Sequence, residues 1–264
     1  MDLQLKDKTA LVTGSTQGIG YAIAKLLLAE GATVIINGRT DQRINAAISK
    51  LKSEVPGANV SGLAADFSNS DEVSRLVNTL PEIDILVNNA GIFEPKPFLE
   101  IPDDEWIRFF KVNVLSGVQL SKAVLPKMLA KNWGRIIFIS SESALNIPEE
   151  MIHYGATKTM QLGVSRGIAE LTRNTNVTVN SILPGPTKSE GVEDFISQVA
   201  KSKNISKEDA EKDFFKTLRP SSIIQRFADV SEIANLVVYI ASPLSSATNG
   251  AALRADGGLV KLIM

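Results

Sequence analysis

The stretch Thr13-Gly14-Ser15-Thr16-Gln17-Gly18-Ile19-Gly20 joins a short β-branched run, Thr9–Thr13, to a segment of helical periodicity. In that segment Ile19, Ala22, Ile23, Leu26 and Leu27 recur at i, i+3, i+4, i+7 and i+8, and Gly31 is placed to end the helix. A glycine-rich turn in this position points to an α/β architecture. Gly14 permits a tight turn, while Gly18 and Gly20 remove side chains that would hold the backbone away from a pyrophosphate. The helix start adds free N–H groups and the positive end of its dipole. The turn from Gly14 to Gly20, with Ser15, Thr16, Gln17 and Ile19 between the glycines, therefore reads as a dinucleotide cradle.

The same strand-then-helix rhythm continues. Further β-branched runs lie at Thr33–Asn37, Asn59–Ala64, Ile83–Asn88, Arg135–Ser141, Val177–Leu183 and Ala251–Arg254. Several are continuously apolar, as expected of strands buried on both faces of a parallel sheet. No linker or repeat divides the chain, so residues 1–264 are expected to form one doubly wound α/β domain. A chain of this length buries roughly three quarters of the surface its unfolded form exposes, which makes a disulfide or metal staple unnecessary.

Composition narrows the function. The 28 basic and 29 acidic side chains leave a formal charge of −1, which argues against a nucleic-acid or anionic-membrane binder. There is no Cys, hence no disulfide, thiolate metal site or thiol nucleophile, and His153 is the single His, so no metal site is expected. The start, Met1 to Lys8, lacks the apolar run of a signal peptide. Apolar stretches such as Ile136–Ile139 fall far short of the ~20 residues of a membrane span. A cytoplasmic protein is expected.

The second strand bears on the cofactor. A carboxylate at its end would bond a ribose 2′-hydroxyl, whereas an Arg suits a 2′-phosphate. Here it ends Asn37-Gly38-Arg39 with no acid before Asp41, which favours NADP(H) over NAD(H), the alternative. One segment breaks the rhythm: of the 29 residues from Lys188 to Lys216, 13 are charged, about twice the chain average. Helical spacing persists in it, with Phe195, Ile196 and Val199, then Ala210, Phe214, Phe215 and Leu218. Two surface helices are expected, forming a lid over about residues 186–226 where ligand-covering loops of α/β folds lie.

Four further motifs stand in order: Asn88-Asn89-Ala90-Gly91 after the fourth strand, Ser141 thirteen residues before Tyr154-Gly155-Ala156-Thr157-Lys158, Pro184-Gly185-Pro186-Thr187 after the sixth, and Asp256-Gly257-Gly258 near the end. With Asn113 between the first two, the chain resembles the short-chain dehydrogenase/reductase family over essentially its whole length, and is similar to the 3-oxoacyl-acyl-carrier-protein reductase branch. The resemblance implies a Rossmann-type sheet and hydride transfer between NADP(H) and a carbonyl or secondary alcohol. It implies Tyr154 as proton donor and acceptor, with Lys158 beside it also holding the nicotinamide ribose. It further implies that Ser141 bonds the reacting oxygen and that Asn113 maintains a water relay to Lys158. To the cofactor it assigns Asp66 and Phe67 at the adenine, Asn89, Ala90 and Gly91 in the cleft, and Thr187, with Pro184 and Gly185 in the same turn.

Physical chemistry is consistent with these roles. Tyr154 and Lys158 share a helix face at i and i+4, and an ammonium nearby favours the phenolate, whose unperturbed pKa of ~10 is too high for proton exchange near neutrality. Ser140 competes with Ser141, the spacing to Tyr154 favouring Ser141. His153 is either a wall or surface residue or a substrate contact. Glu142 is structural, meets a polar substrate or bonds the lid, and Asp256 fixes the C-terminal turn. The first substrate expectation is a 3-oxoacyl thioester. Alternatives are another small ketone, an NAD-preferring alcohol dehydrogenase, a silent NADP-binding sensor, and an epimerase or dehydratase, for which the chain lacks a second domain. Excess apolar positions at Val112, Val114, Leu115, Val118, Leu120, Met160, Leu162 and Val164, and the tail Leu259–Met264, suggest a homo-oligomer, by resemblance a tetramer.

Overall fold

Each of the seven β-branched runs becomes a strand of one parallel sheet. In the computed structural model, which describes residues 2–263, the strands are β1 (Thr9–Val12), β2 (Thr33–Gly38), β3 (Val60–Ala64), β4 (Ile85–Asn88), β5 (Gly134–Ile139), β6 (Val177–Pro184) and β9 (Ala252–Ala255). A two-stranded ribbon of β7 (Thr187–Lys188) and β8 (Ala228–Asp229) stands apart. The sheet order is β3-β2-β1-β4-β5-β6-β9, with every neighbouring pair parallel. The chain reverses its direction of winding between β1 and β4, and the crevice at the strands' carboxyl ends there is where such sheets bind ligands.

Period-2 alternation divides the core between the faces. Ala10, Val12, Ile137 and Ile139 face α1 (Gly18–Ala29), α2 (Asp41–Glu54) and α9 (Val230–Ala241). Leu11, Leu86, Ile136 and Phe138 face α3 (Ser70–Thr79), α5 (Ser116–Ala130) and α6 (Ile152–Glu170). The buried stripe of α1 is Ile23, Ala24, Leu27 and Leu28, while Ile19, Ala22 and Leu26 are only partly covered. The predicted stripe is thus rotated by about one position, α1 packing against α9 as well as against the sheet.

Local chemistry sets the helix starts. Thr40 caps α2 by accepting from the Arg43 N–H, Asn69 caps α3, and Asp229 with Glu232 forms a capping box on α9. Helix α4 (Asp103–Phe110) runs into α5 through one π-helical turn, Lys111–Leu115, which carries Asn113. After β7, α7 (Glu190–Lys203) and α8 (Lys207–Thr217) form a helical pair separated by Asn204 in the left-handed region. Ile196, Ala200, Ala210, Phe215 and Phe227 make its small separate core. The two surface helices expected from the charged segment are present. Leu218 departs from the expected stripe, since α8 stops at Thr217 and leaves it half exposed.

Several predicted apolar positions serve the chain's own core. Val112, Val114 and Leu120 are buried within this one chain, so they supply no free surface; Met160, Ile107 and Phe110 are exposed on the same side. In the tail, Leu259 and Val260 are buried and Leu262 and Ile263 exposed, while Met264 lies outside the described residues. Asp256 holds the C-terminal turn as expected, its carboxylate accepting from the N–H groups of Gly258 and Val260. Among the described residues no helix is long and apolar enough to cross a membrane, and no cluster of metal-ligating side chains occurs.

Candidate active site

The carboxyl ends of β1, β4, β5 and β6, with the start of α6 and the α7–α8 segment, enclose a cleft of about 600 Å³. Gly14, Gln17, Gly18, Ile19 and Gly20 line one end, Asn89, Ala90, Gly91, Pro184, Gly185 and Thr187 its flanks, and Ser141, Tyr154 and Lys158 its deep wall. Hydrogen bonds join these parts. The Thr13 hydroxyl accepts from the N–H groups of Asn89 and Ala90, and the Asn89 amide donates to the carbonyls of Thr13 and Gly14. Gly14 and Gly18 both adopt positive φ, +59° and +60°. At Gly20, which also lines the cleft, a Cβ would lie 2.5 Å from the Asn89 amide nitrogen and from the Gly14 carbonyl oxygen. Its missing side chain lets α1 close against the loop.

Helix geometry places Tyr154 and Lys158 on one face, with Lys158 Nζ 5.6 Å from the Tyr154 ring centroid. Lys158 Nζ donates to the Ile139 carbonyl at 2.9 Å, and an ideal Cβ at Gly91 would stand 3.5 Å from both Lys158 Nζ and Asn113 Oδ1. Asn113 is fully engaged: Oδ1 accepts from the Ile92 N–H at 2.8 Å, and Nδ2 donates to the Ile92 carbonyl and to Thr157 Oγ1, each at 3.0 Å. Its backbone carbonyl accepts from Gln161 Nε2. The π-helical turn thereby locks β4's exit loop to α6. The two candidate serines have different partners. Ser140 Oγ donates to the Lys158 carbonyl at 2.9 Å, an anchoring bond, while Ser141 Oγ donates to Glu142 Oε2 at 2.5 Å and stands beside Tyr154.

Burial dominates the electrostatics. It pushes the Tyr154 phenol well above its usual value, the Glu142 carboxylate pushes it further, and the Ser141 hydrogen bond and Arg219 only partly oppose them. The downward pull expected from Lys158 is not found: the groups acting on the phenol are Glu142, Ser141 and Arg219. Lys158 is itself pushed down to about 8 by burial, against the opposing attraction of Glu142. Glu142 is buried and lies 3.6 Å from Arg219 Nε; Arg219 Nη1 also meets Glu150 Oε1 at 3.1 Å. Of the readings open for Glu142, a bond to the segment of residues 186–226 is the one this ion pair makes.

Other residues read from the sequence lie away from the cleft or are committed within the fold. Ser15 is buried, donating to the Val12 carbonyl and accepting from the Asn37 N–H. Thr16 packs over Gly38, next to the exposed Arg39, which makes no ion pair among the described residues. The Asp66 carboxylate accepts from the N–H and hydroxyl of Ser68, and Phe67 is buried in the core beneath α3. His153 is neither surface nor substrate contact. Its ring is completely buried, packed on Phe109 with centroids 4.1 Å apart and facing Glu105 at 3.7 Å, behind the helix that bears Tyr154.

Sequence reasoning missed Thr157, Gln161, Glu150, Arg219 and Arg43. Thr157 sits inside the Tyr–Lys turn, and its spacing alone could have marked it. Arg43, one turn beyond Arg39 and exposed on α2, was also within reach of the helix pattern. Arg219 and Glu150 are 69 residues apart and meet only in the fold.

The short chain dehydrogenase family model matches residues 8–200. The chain is 52% identical to the uncharacterized oxidoreductase YvaG of Bacillus subtilis (strain 168), over 100% of both chains. It is 31% identical to the 3-oxoacyl-[acyl-carrier-protein] reductase FabG of Aquifex aeolicus (strain VF5), covering 98% of this chain and 100% of that one. Its backbone is similar to that of L-sorbose reductase from Gluconobacter frateurii, solved with NADPH and L-sorbose, with a TM-score of 0.93, 28% identity and full coverage of both chains. The parallel sheet, the glycine cradle at its winding reversal and these likenesses agree: the chain belongs to the short chain dehydrogenase family and is an oxidoreductase acting on the CH–OH/C=O pair.

Proposed function

We propose that the chain is an NADP(H)-dependent carbonyl reductase, reversible as an alcohol dehydrogenase. The observation that carries this reading is the meeting of Ser141, Tyr154 and Lys158 in one cleft with the glycine cradle. The positive φ of Gly14 and Gly18 and the start of α1 fit a bound pyrophosphate, and Asn89–Gly91, Pro184–Gly185 and Thr187 would flank the remainder of the dinucleotide. When bound, the nicotinamide supplies or accepts the hydride. Tyr154 gives a proton to the carbonyl oxygen in reduction and takes it in oxidation, Ser141 bonds that oxygen, and Lys158, on the same helix face beside the phenol, holds the nicotinamide ribose. Asn113 holds the Ile92 loop against α6 and with it the approach to Lys158. Arg39 and Arg43, both exposed beyond β2 where no carboxylate stands, support NADP(H) over NAD(H). Asp66 and Phe67, just after β3 beside β2, are the residues this reading gives to the adenine.

The α7–α8 segment acts as the lid in this reading, and the exposed Ile107, Phe110 and Met160 support a homo-oligomer, which light scattering would test. Two substrate classes have support. Identity to FabG supports a 3-oxoacyl thioester. The buried carboxylate of Glu142 beside Ser141 favours a small hydroxylated ketone, as does the likeness to L-sorbose reductase. NADPH consumption against acetoacetyl thioester, ketoses and simple ketones tests both. Turnover of none of them, with NADPH still bound, overturns the reductase reading.

A further inference from the structure

A buried carboxylate, Glu142, a buried guanidinium, Arg219, and the partly exposed carboxylate of Glu150 close the substrate end of the cleft, and the family chemistry of Ser, Tyr and Lys uses none of them. Glu142 Oε2 accepts a hydrogen bond from the Ser141 hydroxyl at 2.5 Å. Its Oε1 accepts from Ser143 Oγ at 3.2 Å and faces Arg219 Nε at 3.6 Å. Arg219, held by Glu150 and by the Leu218 carbonyl, reaches in from the end of α8 and stacks over Phe214.

This arrangement has a chemical consequence. While Ser141 donates to Glu142, it offers a carbonyl oxygen only lone pairs, which repel rather than bond. A substrate must draw that proton away from the carboxylate before Ser141 bonds the reacting oxygen. A hydroxyl on the carbon next to the carbonyl does so directly. It donates to Glu142 in place of Ser141, and the freed serine proton turns to the carbonyl. Ser141 Oγ and Glu142 Oε2 stand about as close as the two oxygens of a 1,2-hydroxyketone, so one substrate can meet both.

The surrounding charge points the same way. An anionic substrate group would face Glu142 and Glu150 against Arg219 alone, and an alkyl group would cover desolvated ions without bonding them. Neutral hydroxyls satisfy the carboxylate. Phe93, Phe195 and Phe214 then pack the carbon skeleton.

We propose that Glu142, braced by Arg219, is the specificity-determining residue of this enzyme and selects uncharged ketones bearing a hydroxyl next to the reacting carbonyl, a proposal that rests on the carbonyl-reductase reading above. The experiment compares NADPH-dependent kcat/KM for 1-hydroxybutan-2-one and butan-2-one in the wild-type protein, in Glu142→Gln and in Glu142→Leu. NADPH binding and thermal melting are followed in parallel.

The expected wild-type preference for the hydroxyketone is about 100-fold or more, because a site built to bond a hydroxyl discriminates strongly against its absence. Glu142→Leu brings the preference to within about threefold, by slower hydroxyketone turnover and faster butanone turnover, and Glu142→Gln falls between. NADPH binding stays unchanged, a combination that a merely structural role does not produce. Equal wild-type kcat/KM for the two ketones overturns the proposal without any variant. So does a wild-type preference that survives in Glu142→Leu. Turnover of neither ketone, with NADPH bound, overturns the reductase reading itself.

Discussion

Replacing Lys158 by Met should stabilise the fold while abolishing its chemistry. Burial lowers the Lys158 pKa from 10.5 to about 8. At about 1.4 kcal/mol per pH unit, keeping the ammonium charged in the fold costs about 3 kcal/mol. The side chain is 4% exposed, so solvent screening does little to reduce this. Its one recorded partner, the Ile139 carbonyl, would lose a hydrogen bond in the variant, at roughly 1–2 kcal/mol. The variant should therefore be about 1–2 kcal/mol more stable at pH 7.

The sign of the pH dependence is fixed by the lowered value. Between about pH 8 and 10.5 the unfolded chain carries a proton that the folded chain has released, so stability rises with pH through this window. From pH 7 to 9.5 this one group adds about 2 kcal/mol to the wild type and nothing to the variant. Urea unfolding of both proteins at the two pH values reads the difference directly, and titrations common to both cancel. The advantage of Lys158→Met should shrink by about 2 kcal/mol over that range. A variant less stable than wild type at pH 7, or a difference unchanged with pH, refutes the argument that burial controls this lysine.

Gly20→Ala places a Cβ against Asn89 and Gly14 and should cost about 1–3 kcal/mol in thermal unfolding, together with weaker dinucleotide binding. Arg39→Ala should raise the KM for NADPH roughly tenfold and leave that for NADH unchanged, since an exposed charge-assisted bond to a phosphate lies at the low end of its range. Burial lowers the His153 pKa, so the unfolded chain takes up a proton below pH ~6.5 that the folded ring resists, and stability falls as the pH drops. His153→Phe, which suits the pocket of Phe109 and Trp106, should flatten that part of the acid-unfolding curve.

The sheet was legible in the sequence because parallel strands buried on both faces leave continuous apolar runs that hardly occur elsewhere. The cradle was legible because backbone chemistry demands glycine at fixed places. Less was visible where a residue's role depends on what lies across the fold. Spacing to Tyr154 favoured Ser141 over Ser140, but that Ser140 is tied to the Lys158 carbonyl was not visible in the sequence. Adjacent helical positions face about 100° apart, which already set His153 off the face of Tyr154, but that its ring is fully buried on Phe109 was not visible in the sequence. Val112, Val114 and Leu120 look surplus until the chain's own fold is seen to bury them. The Glu142–Arg219–Glu150 cluster joins residues from the β5–α6 turn and the end of α8, a contact that no local pattern encodes.

The central claim, that Tyr154 exchanges the proton with the reacting oxygen, is tested most directly by Tyr154→Phe in an NADPH-consumption assay paired with NADPH binding. Loss of the phenol oxygen should lower kcat by about 10²–10⁴-fold, the ordinary range for a general acid, with the dissociation constant for NADPH changed little. Turnover that stays within a few-fold of wild type contradicts the account.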